Sequence, residues 1–333
     1  YPVVIKPCSG GGGKGVSIVR AEADLAAAVE SSSRIGRNLC GDASVYIESF
    51  IRRPVHIEVQ VFNGRAIGIR KCAVQRRNQK VIEESGHSFL DDYVSLSLLA
   101  AAEKIAHMSG YSRGGGAGTV EFLIDTDTGR IGFMEMNTRL QVEHCVSEMI
   151  VHRDLVQWQL HVAAGFPLPA QQKDIKAVGH AIELRVYAEN PYNNFFPATG
   201  KLSHLVAPKL GSDIRVETGV RQGDEVSIHY DPMISKLVTW APNREACLDR
   251  MIRAIDDYQI VGPPTNLSFA RRVLKNKEFR HGEVTTKFIA THLKELVPPV
   301  EKPTRDITFL TVMQMLIKEE EAARSAAANA KKG

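Results

Sequence analysis

The most restrictive feature of the sequence is an alternating segment, residues 134–143, in which every second side chain is polar. In an extended chain, successive side chains point to opposite faces. One face then carries Met134, Met136, Leu140 and Val142, and the other carries Glu135, Asn137, Arg139, Gln141 and Glu143. A solvated strand face is one interpretation, but such faces are usually Lys, Thr and Ser. The mixture of acids, an amide and a guanidinium favours a strand with a functional face.

The preceding strand supplies a second carboxylate for this face. If the hairpin turn centres on Thr128, Glu121 and Glu135 are cross-strand partners. Carboxylates placed directly opposite each other repel, and a divalent cation removes that penalty. Asn137 adds a neutral oxygen on the same face, and three oxygen ligands with room for phosphate and water suit Mg²⁺. The sequence therefore favours a metal site at Glu121, Glu135 and Asn137 over a merely solvated face.

A basic run, residues 71–80, lies in the predicted return strand of a hairpin that turns at Asn63-Gly64. Four cations in ten residues usually mark a solvated face or a nucleic-acid surface. The run has no interleaved aromatic residues for base stacking, and a net charge of +4 over the chain argues against a dedicated nucleic-acid binder. A lining for a small anion, beside Arg139, fits better.

A glycine-rich loop, residues 10–15, formally contains G-x-G-x-x-G. A dinucleotide site needs a helix directly afterwards, whereas residues 16–20 are typical of a strand. A P-loop needs Ser or Thr where Gly15 stands. The remaining interpretations are a surface turn and a mobile flap whose N–H groups, with Lys6 and Lys14, close over phosphates. The backbone entropy of four consecutive glycines favours the flap.

Two other charged positions are ambiguous from the sequence alone. Arg185 shares a strand face with Glu183 and Tyr187, which by itself predicts a structural ion pair rather than a site. His56 lies on an alternating strand, where a buried structural histidine is the more common role.

The overall pattern predicts an α+β chain in two parts divided near residues 165–175. Hydrophobic residues make up 44% and charged residues 24% of the 333 residues, as in ordinary globular proteins. Widely spaced cysteines without C-x-x-C spacing argue against a zinc site, and no apolar run has the roughly 18–20 residues of a membrane span. Strands are predicted at 1–6, 16–20, 45–50, 56–62, 66–77, 119–125, 130–137, 178–187, 200–206, 213–218 and 233–240. Helices are predicted at 22–34, 91–108, 148–164, 243–258, 266–275 and 284–294, and from about Asp306 to the end.

Three motifs together resemble biotin carboxylase, a family with the ATP-grasp fold. They are Ile5-Lys6 with the glycine loop, Gln75-Arg76-Arg77-x-Gln79-Lys80-x-x-Glu83-Glu84, and Glu135-Met136-Asn137-Thr138-Arg139-x-Gln141-Val142-Glu143-His144. The resemblance implies a partial ATP-grasp domain at 1–165, a biotin carboxylase C-terminal α/β domain at 175–297 and a helical linker at 303–333. The family's N-terminal nucleotide-fold domain is expected to be absent from the chain.

The resemblance also implies a role for each matching residue. ATP would be held by Lys6, Gly11, Gly12, Gly13, Lys14, Glu48, His56 and Gln75, and Mg²⁺ or Mn²⁺ by Glu121, Glu135 and Asn137. Bicarbonate would be held by Lys80, Arg139, Gln141 and the Val142 backbone, with Glu143 as its general base. Arg139 and Arg185 would stabilise the enolate formed when the ureido nitrogen of biotin loses its proton.

Within the family, residues 154–160, 193–195 and 216–233 are most similar to the biotin-bearing α subunits of methylcrotonoyl-CoA carboxylases. Propionyl-CoA carboxylase α subunits are a near second, since residues 75–80 and 231–237 suit them equally. This similarity implies carboxylation of 3-methylcrotonoyl-CoA in leucine breakdown and a location in the mitochondrial matrix. It also implies a carboxyltransferase β subunit, a biotinyl carrier domain of the same full-length chain and a large hetero-oligomer, with no nucleic-acid or membrane partner.

Two competing hypotheses remain at this stage. Another ATP-grasp ligase, of the carbamoyl-phosphate or peptide type, would share the flap and the metal residues but would not explain residues 75–80 together with Arg139, Gln141 and Glu143. A non-catalytic nucleotide-binding scaffold draws support from Ser49, which stands where many family members have Lys after the adenine-side Glu48.

Overall fold

The computed structural model describes residues 1–9, 13–76, 79–86, 89–112, 114, 116–282, 284–299 and 304–330, with the backbone alone at 321–323 and 325–330. The chain forms two compact units, Tyr1–Leu296 and Val297–Gly333. Among the described residues, none of the helices combines the length and the apolar character that crossing a membrane requires.

The strands account for most of the first unit. In chain order they are β1 (Val3–Pro7), β2 (Ser17–Val19), β3 (Val45–Ser49), β4 (Pro54–Phe62), β5 (Arg65–Arg76), β6 (Gln79–Ser85), β7 (Ala117–Asp125), β8 (Ile131–Asn137), β9 (His180–Tyr187), β10 (Glu189–Asn190), β11 (Phe196–Pro197), β12 (Gly200–Lys201), β13 (His204–Val206), β14 (Ile214–Thr218), β15 (Glu225–Val226), β16 (Met233–Ala241) and β17 (Gln259–Val261).

The helices lie mostly on the sheet faces and in the second half of the chain. They are α1 (Leu25–Cys40), α2 (Asp92–Met108), α3 (His144–Val151), α4 (Leu155–Ala163), α5 (Arg244–Asp257), α6 (Leu267–Lys275), α7 (Lys277–His281), α8 (Phe288–Thr291), α9 (Leu293–Leu296) and α10 (Arg305–Ala330). Helix α10 belongs to the second unit.

An eight-stranded antiparallel sheet in the order β14-β16-β9-β6-β5-β4-β7-β8 organises the first unit. The alternation in β4 explains its two faces. Ile57, Val59 and Val61 pack with Leu98 and Ala102 of α2 in an apolar core, whereas His56, Glu58 and Gln60 are buried polar residues of the same strand. One face of the sheet therefore supplies an apolar core, and the other can carry a polar site.

A separate three-stranded sheet in the order β2-β1-β3 confirms the predicted flap hairpin, with α1 packed against it. The hairpin predicted at Asn63-Gly64 is likewise confirmed, with β4 and β5 paired antiparallel. The register of β7 and β8 places Glu121 directly opposite Glu135, as the turn spacing predicts.

Two sequence predictions need correction. The strand predicted at 130–137 is confirmed as β8, but the extended, alternating chain expected over residues 134–143 ends at Asn137, and Glu143 begins the turn into α3. The helix predicted at 148–164 is two helices, because His152 has a left-handed backbone with φ of 51°. The Asp154 side chain then caps α4 through the Gln157 N–H at 2.7 Å.

The second-half elements are also shorter than predicted. The expected strand at 200–206 is divided between β12 and β13, and the expected helix at 284–294 is replaced by the short helices α8 and α9. Strand β6, which was included in no prediction, lies in the centre of the sheet and pairs with β9. The domain boundaries predicted at 165 and 175 stay a prediction, and the central sheet continues across that segment.

The tight packing of Gly64 in the β4–β5 turn leads to a stability prediction. Gly64 has a φ of 81°, and an added Cβ would lie 2.5 Å from the Ser112 Cβ. Gly129 has a similar φ of 69°, but none of the described atoms lies within 4 Å of an added Cβ. Both Gly→Ala changes introduce backbone strain, and only Gly64→Ala adds a clash. We expect Gly64→Ala to lower the free energy of unfolding by about 1–3 kcal/mol more than Gly129→Ala, measured by urea denaturation. Equal losses would contradict this packing.

Candidate active site

A cavity of about 870 Å³ lies in the first unit, between residues of the flap sheet and the polar face of the central sheet. Its wall includes fifteen of the seventeen residues predicted to form the site: Lys6, Gly13, Lys14, Glu48, His56, Gln75, Lys80, Glu121, Glu135, Asn137, Arg139, Gln141, Val142, Glu143 and Arg185. The other two, Gly11 and Gly12, lie outside the described residues, as do Arg77 and Asn78 of the basic run. The sequence-predicted positions are thus brought to one cavity, while the individual roles assigned to them stay predictions.

On the flap side of the cavity, β1 and β3 place a cation beside an acid. Val4 is the register partner of Glu48, so Lys6 lies two residues further along β1. The Lys6 Nζ is 2.5 Å from the Glu48 Oε2, and both side chains are partly exposed. The phosphate-binding candidate and the adenine-binding candidate therefore neutralise each other in this conformation.

The three metal-binding candidates lie together at the β7–β8 pair. The Asn137 Nδ2 is 2.9 Å from the Glu121 Oε1 and 3.3 Å from the Glu135 Oε1. Glu121 also accepts a hydrogen bond from the Gln141 Nε2 at 2.9 Å. The two carboxylates are held close by neutral amides, and of the cations that the structure describes, Lys80 pairs with Glu121 at 3.2 Å whereas none pairs with Glu135.

Lys80 is the centre of a buried ionic network. Its Nζ lies 2.6 Å from the Glu143 Oε1 and 3.2 Å from the Glu121 Oε1, and it also contacts the Glu58 carboxylate. Burial opposes the charged forms of Lys80, Glu58 and Glu121, but the mutual attraction outweighs it. The pKa of Lys80 is therefore raised well above its usual value, although burial lowers it, because Glu58 and Glu143 are so near. Burial raises the pKa of Glu58, but Lys80 and Arg70 outweigh this effect and bring the pKa to about 2.

Arg185 reaches the network from β9. Its Nε donates to the Glu83 Oε1 at 2.6 Å, and its Nη2 donates to the Glu143 Oε2 at 3.1 Å. Glu143 is therefore held at one oxygen by Lys80 and at the other by Arg185. Arg185 does form ion pairs, but with Glu83 of β6 and with Glu143, rather than with Glu183 of its own strand face, and its side chain lines the cavity.

His56 is oriented by two neighbours. The Gln75 Nε2 is 2.5 Å from the His56 Nδ1 and 2.7 Å from the Cys72 carbonyl oxygen, so this amide nitrogen faces two acceptors. With Nδ1 accepting, the Nε2–H donates to the Glu121 Oε2 at 3.0 Å. His56 is thus both a buried structural histidine and a neighbour of the predicted metal ligands.

Arg139 occupies a different environment from the other candidates. Its side chain is exposed, and its Nη1 donates to the Leu140 carbonyl oxygen at 3.3 Å. The strand ends two residues earlier, so Arg139 lies at the wall of the cavity and outside the network around Lys80. This position leaves its guanidinium accessible to an anion.

Several residues of the site were missed by the sequence analysis, namely Glu58, Arg70, Glu83 and Lys236. Arg70 is fully buried and donates to Glu58 at 3.1 Å, to the Gln60 Oε1 at 2.6 Å and to the Ser147 Oγ at 2.9 Å. The Lys236 Nζ donates to the Val142 carbonyl oxygen at 2.9 Å. The alternation of His56 with Glu58 and Gln60 is a signal that would have identified Glu58, whereas Lys236 depends on a long-range contact that no local pattern indicates.

The sequence of this fold matches known families in both of its halves. Residues 1–171 match the family model described as carbamoyl-phosphate synthase L chain, ATP binding domain. The chain belongs to this family. Residues 183–291 match the model for the biotin carboxylase C-terminal domain, and together the two matches confirm the resemblance to biotin carboxylase.

Similar proteins with a curated name include carboxylase subunits. The methylcrotonoyl-CoA carboxylase subunit alpha, mitochondrial, of Dictyostelium discoideum is 47% identical over 324 residues, which are 96% of this chain and 46% of that protein. The propionyl-CoA carboxylase alpha chain of Ruegeria pomeroyi is 41% identical and covers 92% of this chain and 48% of its own length. The chain therefore spans about half the length of these relatives.

A solved structure of similar fold is the biotin carboxylase domain dimer of the 2-oxoglutarate carboxylase from Hydrogenobacter thermophilus, in complex with MgADP, ADP and bicarbonate. It is 38% identical, with a TM-score of 0.83, and the match covers 90% of this chain and 66% of that chain. The fold is accordingly the α+β ATP-grasp fold followed by the biotin carboxylase C-terminal domain.

The buried position of Arg70 gives a second stability prediction. Replacing Arg70 by Met leaves Glu58 with one cation fewer in a site that water does not reach, and breaking such a buried pair typically costs about 3–5 kcal/mol. We expect a loss of that size in the free energy of unfolding, measured by urea denaturation. The matched control is Arg53→Met, whose exposed pair with Asp127 at 3.0 Å should change stability by less than about 1 kcal/mol. A comparable effect of the two changes would show that Arg70 is not needed for the network.

Proposed function

We propose that the chain is the biotin carboxylase part of an acyl-CoA carboxylase, which uses ATP and bicarbonate to carboxylate biotin on a carrier domain. One observation supports this function most strongly. A single cavity is lined by the paired carboxylates Glu121 and Glu135 and by a third carboxylate, Glu143, which is held between Lys80 and Arg185. The transfer of phosphate to bicarbonate requires a carboxylate that accepts the bicarbonate proton, placed beside a site that binds the anion. This arrangement provides both.

The donor set at β7 and β8 fits a hard divalent cation. Glu121 and Glu135 lie directly opposite each other, and Asn137 lies within hydrogen-bond distance of both. A half-turn of the Asn137 amide would present its oxygen to the same space, which gives three oxygen ligands of the kind that Mg²⁺ and Mn²⁺ prefer. A bound cation there would neutralise negative charge on the nucleotide phosphates.

The nucleotide would occupy the flap side of the cavity. Lys6 and Lys14 would hold its phosphates beneath the glycine loop, and Glu48 would meet the adenine. His56 and Gln75 form a fixed hydrogen-bonded pair at the same wall. These groups bind and orient the phosphates rather than exchange protons, because phosphoryl transfer depends mainly on positioning and charge.

Bicarbonate would bind where Lys80, Arg139, Gln141 and the Val142 backbone converge. Glu143 would accept the proton of the bicarbonate hydroxyl while Lys80 and Arg185 keep its two oxygens in place. The freed bicarbonate oxygen attacks the γ-phosphorus in line and ADP leaves, which yields carboxyphosphate. Carboxyphosphate then gives CO₂ and phosphate, and the guanidinium groups of Arg139 and Arg185 place positive charge where the acceptor becomes negative.

The full-length protein that this function implies carries the biotin and has a partner. The similarity to methylcrotonoyl-CoA carboxylase α subunits supports 3-methylcrotonoyl-CoA as the final acceptor, within leucine breakdown in mitochondria. It also supports a carboxyltransferase β subunit in a hetero-oligomer and a biotinyl domain on the same chain. Propionyl-CoA is the second candidate acceptor, because a propionyl-CoA carboxylase α chain is almost as similar.

The role of Glu143 can be tested by Glu143→Gln in the full-length protein. The amide keeps the shape of the side chain but does not accept the bicarbonate proton, so we expect bicarbonate-dependent ATP hydrolysis to fall by at least about 100-fold. ATP binding, followed by fluorescence titration, should remain. The matched control is the exposed Glu225→Gln, which should retain both properties. Turnover retained by Glu143→Gln would reject Glu143 as the base.

The acceptor can be tested by fixing labelled bicarbonate into three acyl-CoA thioesters with ATP and Mg²⁺, using the full-length protein with its partner subunit. We expect label mainly in methylcrotonoyl-CoA, because the local similarities favour that branch of the family. A preference for propionyl-CoA would keep the mechanism and change the acceptor. ATP binding without fixation into methylcrotonoyl-, propionyl- or acetyl-CoA would favour the scaffold hypothesis.

A further inference from the structure

Two carboxylates lie opposite each other in the interior of the central sheet. Glu83 of β6 is the direct register partner of Glu183 of β9, and neither side chain is exposed to solvent. Side chains at such positions have Cβ atoms about 5 Å apart. Two carboxylates this close in a buried place do not both ionise near neutral pH, because desolvation and repulsion both oppose the second charge.

The two carboxylates are unequally satisfied. The Glu83 Oε1 accepts a hydrogen bond from the Arg185 Nε at 2.6 Å. The Glu83 Oε2 and both oxygens of Glu183 have no hydrogen-bond partner within the described parts of the chain. An ionised Glu183 would therefore be a buried charge without any direct partner, which is very costly. A proton on Glu183 removes that charge and leaves the pair with the single charge of Glu83.

The charged groups around Glu83 and Glu183 do not compensate the cost of an ionised Glu183. Arg185 faces it from β9, Lys236 from β16, Lys80 from β6, and Glu143 and Cys145 from the start of α3. Burial raises the pKa of Glu183 well above its usual value, and Glu83 adds to this, although Lys236 and Arg185 oppose it. Burial also raises the pKa of Glu83, to about 7, against the opposing effect of Arg185.

We propose that Glu83 and Glu183 share one proton at neutral pH, carried by Glu183, and that the remaining charge on Glu83 positions Arg185 against Glu143. Glu83 is a positioning residue, since it acts on the reaction through Arg185, whereas Glu183 carries the proton and is not hydrogen-bonded to Arg185. The part of the proposal that concerns catalysis rests on the function proposed above for Arg185 and Glu143. The shared proton itself does not depend on that function.

The geometry shows why a single charge is needed. Two carboxylates hold the guanidinium of Arg185: Glu83 contacts its Nε, and Glu143 contacts its Nη2. Loss of the shared proton would place a second negative charge beside Arg185 and draw its guanidinium toward the pair and away from Glu143. Loss of the charge on Glu83 would weaken the contact that holds the Arg185 Nε.

The first test detects the proton directly. The infrared spectrum of the full-length protein at neutral pH should contain the carbonyl stretch of a buried protonated carboxylic acid. This band should vanish in Glu183→Gln and remain in the exposed control Glu225→Gln. Absence of the band in the unsubstituted protein would overturn the proposal, and so would its survival in Glu183→Gln. This readout needs neither enzyme activity nor a variant that matches the stability of the original protein.

The second test uses the pH dependence of thermal unfolding. The folded-state pKa of Glu183 lies above its unfolded value of about 4.3, so the folded protein binds the extra proton and loses stability as pH rises between the two values. Glu183→Gln removes this loss. The melting temperature of the variant minus that of the original protein should therefore increase as the pH rises from about 5 to about 8. A difference that is independent of pH would contradict the shared proton.

Glu84→Gln is the matched contrast from the same strand. Burial raises the pKa of Glu84, but hydrogen bonds from His180 and Arg244 outweigh this and lower it. The stabilisation by its carboxylate is therefore present above the unfolded pKa and is lost as pH falls. The melting-temperature deficit of Glu84→Gln should shrink toward acid pH, the opposite sign to Glu183→Gln, and equal signs would overturn the assignment.

The third test measures bicarbonate-dependent ATP turnover. We expect Glu183→Gln to keep kcat within about twofold at pH 7 and to lose the alkaline fall of the pH profile, because the shared proton is no longer needed. Glu83→Gln should lower kcat by roughly tenfold, as is common for residues that orient a catalytic group, with little change in the KM for ATP. Equal losses in the two variants would overturn the positioning role. If the unsubstituted protein lacks turnover, the proposed function fails while the infrared and melting tests still decide on the proton.

Discussion

Lys80 holds together three buried carboxylates that would otherwise repel one another. Glu58 comes from β4, Glu121 from β7 and Glu143 from the turn before α3, so the lysine joins three separate parts of the chain. Taking each carboxylate out of water costs several kcal/mol unless a cation compensates it. The approach of these elements around the cavity therefore depends on this charge, and Arg70 supports it from the opposite side of Glu58.

Because the charged network lies on one face of the central sheet, the two faces have different roles. The face against α2 is apolar and stabilises the fold by burial. The opposite face is polar beside the cavity and becomes apolar further along β4, where Phe62 packs edge-on against Trp158 of α4 with ring centroids 5.4 Å apart. The apolar packing thus holds the charged groups in place, since those groups themselves contribute little to the free energy of unfolding.

The sequence predicted local features better than distant ones. Asn63-Gly64 and the spacing around Thr128 specified two hairpins and the Glu121–Glu135 register, because turn chemistry acts over a few residues. The helix break at His152 escaped prediction, since a non-glycine residue with positive φ has no strong sequence signal. The pairing of β6 with β9 joins residues about a hundred positions apart in sequence, and no local periodicity predicts such a contact. Most of the residues around the cavity were identified from motifs, whereas Glu83 and Glu183 acquire their significance only from that pairing, and Lys236 only from its contact with the Val142 carbonyl oxygen.

The contact between Lys6 and Glu48 links the two ends of the proposed nucleotide. The Lys6 Nζ and the Glu48 Oε2 lie 2.5 Å apart and compensate each other's charge. A polyphosphate that draws Lys6 away leaves Glu48 without its cation, and an adenine that engages Glu48 leaves Lys6 without its anion. Only a molecule that carries both groups compensates both residues at once. Discrimination against inorganic polyphosphate and against free adenosine would then be a cooperative property of one ion pair rather than the sum of two independent subsites.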